Sequence, residues 1–266
     1  MSLAEEDRAW VHAPSIKGNS SQRDDSSASV AIVTGAPASA SHVATITGNG
    51  SPSTSGSTTR AILLLVSGAT SYPRDGAVGH LVVPRSWNKP SALNLQPDKW
   101  AMDNGCFAGF DEGAYMRMLY AFRDEPACLF VVVPDVVADA AATLARWEFW
   151  APIVRACGRR PAFVAQNGLT PERVPWGEFD ALFIGGDDAY KDGPEARSLC
   201  AYAKALGVWV HWGRVNGSKR YRRALEAGAD SIDGSGFSMY PDATIPKADA
   251  WREAIDATPK FWEAGS

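Results

Sequence analysis

Several short apolar runs in this chain end in residues that could do chemistry: Asp103, Asp135, Gln166, the Gly185-Gly186 pair and Asp233. A carboxylate at the end of a buried strand can attack carbon or manage a proton, and an amide can read the edge of a flat heterocycle. Asp233 lies in AGADSIDGSGFS (Ala227–Ser238), where a strand over Ser231–Asp233 runs into a glycine-rich loop, and it is the candidate nucleophile. Gly234 and Gly236 let a substrate come close to the backbone there. The same letters suit a loop aspartate that caps a helix, since turns are built from Asp and Gly. Asp103-Asn104-Gly105 likewise reads on its own as a turn, and Asp139 is placed to cap the helix that follows Asp135. What sets Asp233 apart is its company: five strand ends that send polar or glycine residues one way imply a shared pocket.

Other chemistries lack their residues. No glycine run has the spacing of a P-loop or a dinucleotide fold, His211 has no partner histidine at a metal-ligand interval, and Ser235 has no histidine base nearby. No metal and no cofactor is expected. His211 reads as a strand-end hydrogen bonder.

From Ala61 the chain alternates short apolar runs with amphipathic stretches, which implies parallel strands joined by helices. Strands are expected at Ile62–Val66, Leu81–Pro84, Trp100–Asp103, Leu129–Val133, Ala162–Ala165, Leu182–Ile184, Val208–His211 and Ser231–Asp233. Helices are expected at Gly113–Arg123, Ala138–Cys157, Pro194–Leu206 and Ser218–Ala227. Eight strands is the number of a TIM-type (β/α)8 barrel. The proline ending Leu81–Pro84 and the link out of the first strand point to an incomplete or distorted one, and a doubly wound open sheet is the alternative. Residues 1–60 are a different regime: from Thr45 to Thr59, twelve of fifteen residues are Ser, Thr or Gly. Such a segment cannot bury enough to offset its ordering entropy, so a disordered tail is expected before a barrel over 61–266, with weak pairing at most over Val30–Thr34 and His42–Ile46.

The formal net charge of −4 argues against wholesale coating by nucleic acid. A local basic run tempers that. Arg214, Lys219, Arg220, Arg222 and Arg223 crowd the stretch before and inside the Ser218–Ala227 helix, where phosphate contact is the functional reading and a solvated helix face the bland one. The four cysteines show no CxxC spacing, no signal-peptide core stands at the N-terminus and no apolar run is long enough to span a bilayer. A cytoplasmic protein without a membrane role is expected.

Taken in order over residues 99–238, the motifs resemble the tRNA-guanine transglycosylase family and its relatives that insert 7-deazaguanines into DNA in phage and bacteria. DNGCF stands for D-S-G-G-F/Y, VPDVV for an aspartate leaving a strand, VAQNG for V-Q-G-G, FIGGD for I-G-G, HWGRV for M-G-V-G and GADSIDG for G-x-D-x-x-D-C. The resemblance implies that Asp233 attacks the ribosyl C1′ and that Asp103 is the general acid and base. It implies that Asp135, Gln166, Gly185 and Gly186 bind the base, with Phe107 and Trp212 sandwiching it. The family's tRNA enzymes carry a Cys/His zinc site after the nucleophile, whereas the 28 residues after Ser238 hold neither residue, so DNA is expected over tRNA. Ala108 in place of Gln and Gly234-Ser235 in place of Cys-Val leave the accepted base open.

The leading expectation is therefore a base-exchanging or base-excising enzyme acting on nucleic acid, with a free modified purine as co-substrate in the exchange case. The rivals are a catalytically silent barrel that binds nucleic acid, and a barrel enzyme for a small phosphorylated metabolite that uses GRVNGS (213–218) as its phosphate loop. Oligomeric state is not legible. Because the tail has almost nothing to bury, deleting residues 1–58 is expected to leave the melting temperature unchanged, which differential scanning fluorimetry of the truncated chain checks.

Overall fold

The computed structural model describes residues 62–68 and 76–256. The expected tail and its two weak strands lie outside these residues. Eight parallel strands close into a barrel in chain order: β1 (Leu63–Ser67), β2 (Val78–Val82), β3 (Trp100–Met102), β4 (Val131–Val132), β5 (Pro161–Ala165), β6 (Ala181–Ile184), β7 (Trp209–Trp212) and β8 (Ser231–Asp233). β8 pairs back onto β1 in the register Leu63 to Ser231 and Leu65 to Asp233, so the barrel is complete and the open sheet is excluded. The protein is a TIM-type barrel.

The irregularity falls in the helical layer instead. α1 (Glu112–Ala121) follows β3, α2 (Ala140–Ala156) follows β4, α3 (Asp188–Asp192) and α4 (Pro194–Ala205) follow β6, α5 (Ser218–Glu226) follows β7, and α6 (Ser235–Met239) and α7 (Pro241–Asp256) follow β8. Between β2 and β3, and again between β5 and β6, the helical structure is a single 3₁₀ turn, at Pro90–Ala92 and Pro171–Arg173. The sequence expectation for β2 ran three residues late. The strand instead begins at Val78 and passes through Gly79, ending before Pro84, which has no N–H to offer a ladder.

Side chains alternate along each strand and divide the apolar residues into two layers. Leu65, Leu81, Ala101, Val132, Ala162, Val164 and Ala181 fill the barrel interior. Their neighbours one residue away, among them Leu64, Val66, Met102, Ile184, Val210, Trp212 and Ile232, face outward into a second layer shared with the helices. Extending the inward set by two residues leads from Ala101 to Asp103, from Val164 to Gln166, from Phe183 to Gly185 and from Ser231 to Asp233. The strand pattern thus carries polar groups to one end of the barrel, the carboxyl end.

Small residues make the interior fit. A Cβ on Gly79 would collide with the carbonyl oxygen of Lys99 and lie 3.1 Å from Leu65 Cδ2. The obstruction is backbone of the paired strand, which cannot swing aside. Gly79→Ala is therefore expected to lower stability by about 1–3 kcal/mol, read as a lower urea midpoint at unchanged slope.

Candidate active site

A cavity of about 500 Å3, counting its solvent-open part, lies at the carboxyl end of the strands. Its walls include Asp103, Phe107, Asp135, Gln166, Gly185, Gly186, Arg214 and Asp233, so eight of the residues singled out from the sequence do meet around one space.

Asp103 and Asp233 sit in different surroundings. Asp103 directly follows β3 and is only partly open to the cavity. Its carboxyl is raised from 3.8 to about 7, first by burial and then by the charge of Asp233, against the lowering pull of the Asn104 and Gly105 backbone N–H groups. It can hold a proton at neutral pH. Asp233 ends β8 and receives two donors on one oxygen: the backbone N–H of Arg214 at 2.8 Å from Oδ1, and His211 Nε2 at 3.3 Å from the same atom. His211 is wholly buried beneath it, between the rings of Phe130 and Phe183. The sequence reading of His211 as a hydrogen bonder holds, and the group it bonds is the candidate nucleophile.

Asn104, Asp135 and Gln166 form a buried polar cluster in the cavity wall. Asp135 Oδ1 accepts from Asn104 Nδ2 at 2.6 Å, and Oδ2 accepts from Gln166 Nε2. Burial raises the Asp135 carboxyl, while these donors oppose the rise. Gln166 Oε1 accepts the backbone N–H groups of Ala138 and Gly186, both at 2.8 Å. These two bonds define which end of the amide is oxygen. They also change the role expected of Gln166, whose carbonyl is occupied by backbone and which has at most one N–H to turn toward a ligand. The Cys106 thiol is a further hydrogen-bond partner of the Asp135 carboxyl, which has acceptor capacity left beyond these donors. Gly185 has no room for a side chain, since a Cβ would stand 2.8 Å from Val164 and 2.9 Å from Gln166 Nε2.

Phe107 is 68 % exposed on the loop after β3 and lines the cavity. Trp212 is not its partner. It is fully buried on the outward side of β7 in the layer beneath the helices, because inward residues on that strand are Trp209, His211 and the following Gly213. One residue of register moves a side chain to the opposite face of the strand. The aromatic ring that lines the cavity alongside Phe107 is Phe183 of β6, which packs where a Cβ on Gly213 would lie, 2.6 Å from Phe183 Cε1. Its signal was its even spacing from Gly185, two residues on.

The basic run separates into three fates. Arg214, in the left-handed region at φ 59°, sends its guanidinium 4.1 Å above the Phe107 ring and donates to the Gly186 carbonyl at 2.6 Å. It lines the cavity mouth. Arg220 and Arg223 are not available as phosphate ligands in the way the run suggested: Arg220 lies 3.3 Å from Asp188 and 3.7 Å from Asp192, and Arg223 pairs with Asp192. The acids come from α3, some 30 residues back in the chain, so a count of local charge could not include them. Lys219 and Arg222 are exposed on α5. Among the described residues no three His, Cys, Asp or Glu side chains gather to hold a metal ion, and no helix is long and apolar enough to cross a membrane.

No family model and no curated protein matches this chain. Two solved structures are similar to this chain at a low level. One is the Bacillus subtilis YkuI protein, with an EAL domain, in complex with substrate c-di-GMP and calcium, at 9% identity, 70% of this chain, 44% of that chain and a TM-score of 0.33. The other is Klebsiella pneumoniae BlrP1 in its calcium and cyclic-di-GMP complex, at 13% identity, 59% of this chain, 37% of that chain and a TM-score of 0.30. The chain spans less than half of either protein, and a likeness of this degree carries no argument.

The raised carboxyl of Asp103 has a consequence for stability. Its folded-state value lies above that of the unfolded chain, so the folded protein binds the proton more tightly and loses stability as pH rises from about 4 through about 7. Asp103→Asn, which cannot ionise, is expected to melt higher than the parent at pH 8, with the gap closing toward pH 4. Parallel thermal melts across that range check it.

Proposed function

We propose that the chain is an N-glycosyl enzyme that removes or exchanges a base in nucleic acid through a covalent bond to Asp233. The observation that carries this reading is the pair of carboxyls at one cavity, one able to hold a proton near neutrality and the other provided with hydrogen-bond donors. Two carboxyls with divided duties are what displacement at a sugar C1′ requires. An Asp233 oxygen forms a bond to C1′ while the C1′–N bond breaks, and its electron pair goes to the base nitrogen. Asp103 supplies the proton that the leaving base needs. In the second half, water or an incoming purine gives its proton to Asp103 and displaces Asp233 from C1′. Exchange and excision share the first half.

Phe107 and Phe183 supply aromatic faces for an extruded ring, and the remaining acceptor capacity of Asp135 takes its N–H groups. Arg214, Lys219 and Arg222 are the basic residues of the 212–223 stretch left to meet backbone phosphate.

A second reading is favoured by one feature. α5 opens at Gly217 with no side-chain cap on its first N–H groups, directly after the 213–218 loop, an arrangement that suits a phosphate on a small metabolite.

Intact-mass analysis after incubation with DNA separates the readings. The parent is expected to gain a covalent DNA adduct, Asp233→Ala none, and Asp103→Asn to form it about 10²–10⁴-fold more slowly while binding DNA normally. DNA binding without an adduct would leave a silent nucleic-acid-binding barrel. Turnover of free nucleotides without DNA affinity would establish the metabolite enzyme.

A further inference from the structure

We propose that His211 is a positioning residue for Asp233, held as the neutral Nε2–H tautomer by a chain of donors that starts at Trp209 and leaves Asp233 Oδ2 as the attacking oxygen. Its catalytic consequence rests on the N-glycosidic reading; the tautomer itself does not.

The chain of donors has one direction. An indole N–H can only donate, and Trp209 Nε1 lies 2.9 Å from Ser231 Oγ. Ser231 is fully buried, and its hydroxyl is also 2.9 Å from His211 Nδ1. The hydroxyl has a single proton, and among the described residues its side chain has no third partner. With Trp209 donating to its oxygen, that proton has His211 Nδ1 as its acceptor. Nδ1 is then unprotonated. The other ring nitrogen, Nε2, faces the Asp233 carboxylate, which can only accept, so Nε2 bears the hydrogen. One proton on the ring makes His211 neutral. The flanking rings of Phe130 and Phe183, with centroids 5.3 Å and 4.7 Å away, hold the imidazole in place.

Both donors to Asp233 end on the same atom. Oδ1 takes His211 Nε2–H from inside the barrel and the Arg214 backbone N–H from the loop after β7. With Oδ1 anchored twice, the carboxylate cannot rotate freely, and Oδ2 is the oxygen left for C1′. The left-handed conformation of Arg214 directs its N–H to this position. The alternating period of β7 and β8 places Trp209, His211, Ser231 and Asp233 on the same interior face, which is why four residues from two strands can form one line.

The test uses the full chain labelled with ¹⁵N in its four histidines. Long-range ¹H–¹⁵N correlation distinguishes protonated from unprotonated ring nitrogens, and loss of one set of signals in His211→Gln assigns His211. The expected result is a protonated Nε2 and an unprotonated Nδ1, with Ser231→Ala releasing that preference. An Nδ1–H tautomer or an imidazolium in the parent overturns the proposal, whether or not any adduct forms. The positioning role is read separately from the rate of adduct formation at saturating DNA. His211→Gln keeps an N–H within reach of Oδ1 and is expected to stay within about tenfold of the parent, while His211→Leu falls by about 100-fold at unchanged half-saturation. Equal rates in the two variants would overturn the role. A parent that forms no adduct, yet shows the Nε2–H tautomer, would refute the N-glycosidic reading and leave the donor chain standing.

Discussion

The site depends on the two-residue period of the barrel strands. Each interior side chain is followed two residues later by one in the same direction, so the packing that fills the barrel also aims its final layer. Ala101 determines the direction of Asp103, Val164 that of Gln166, and Ser231 that of Asp233. Small and large residues are interleaved inside, with Ala101, Ala162 and Ala181 making room for Phe130 and Phe183. Asp233 therefore ends a strand and Asp103 directly follows one, both above a close-packed floor.

That floor becomes polar toward the top, and its polarity is fully wired. Asn104, Asp135 and Gln166 bind one another and the backbone around them, and Trp209, Ser231 and His211 do the same beneath Asp233. Buried polar groups linked in this way hold single rotamers and resist charge rearrangement. Asp103 is the exception: among the described residues only the backbone N–H groups of Asn104 and Gly105 oppose the burial that raises it, and it faces a second carboxylate. Catalytic groups are commonly the ones left in such tension.

The barrel was legible because strand-length apolar runs recur between helical stretches, and the closing strand Ser231–Asp233 was legible to the residue. The pocket was legible because its members end those runs. Trp212 was misplaced for a reason internal to strands: motif order locates a residue along the chain, but a shift of one position turns it from the cavity to the helical layer. Phe183 was overlooked on the same account. Arg220 and Arg223 were misjudged because their partners, Asp188 and Asp192, lie on a helix of five residues, too short for a periodic signal. His211 was seen as a hydrogen bonder, but the identity of its partners depends on pairing between β7 and β8, which spacing does not reveal.

Arg214 holds its guanidinium over Phe107 and is tied to the Gly186 carbonyl, so the exposed aromatic already has a ligand made of the chain itself. A planar ring that seeks the same face enters a competition and not an empty place. The measured affinity for any such ring is then a difference between two stacking energies, less the cost of undoing one hydrogen bond. Rings that stack no better than a guanidinium gain nothing, and the surface rejects them without a steric barrier. Discrimination at this mouth is thereby set by a displacement equilibrium, with the arginine as the internal standard against which each visitor is weighed.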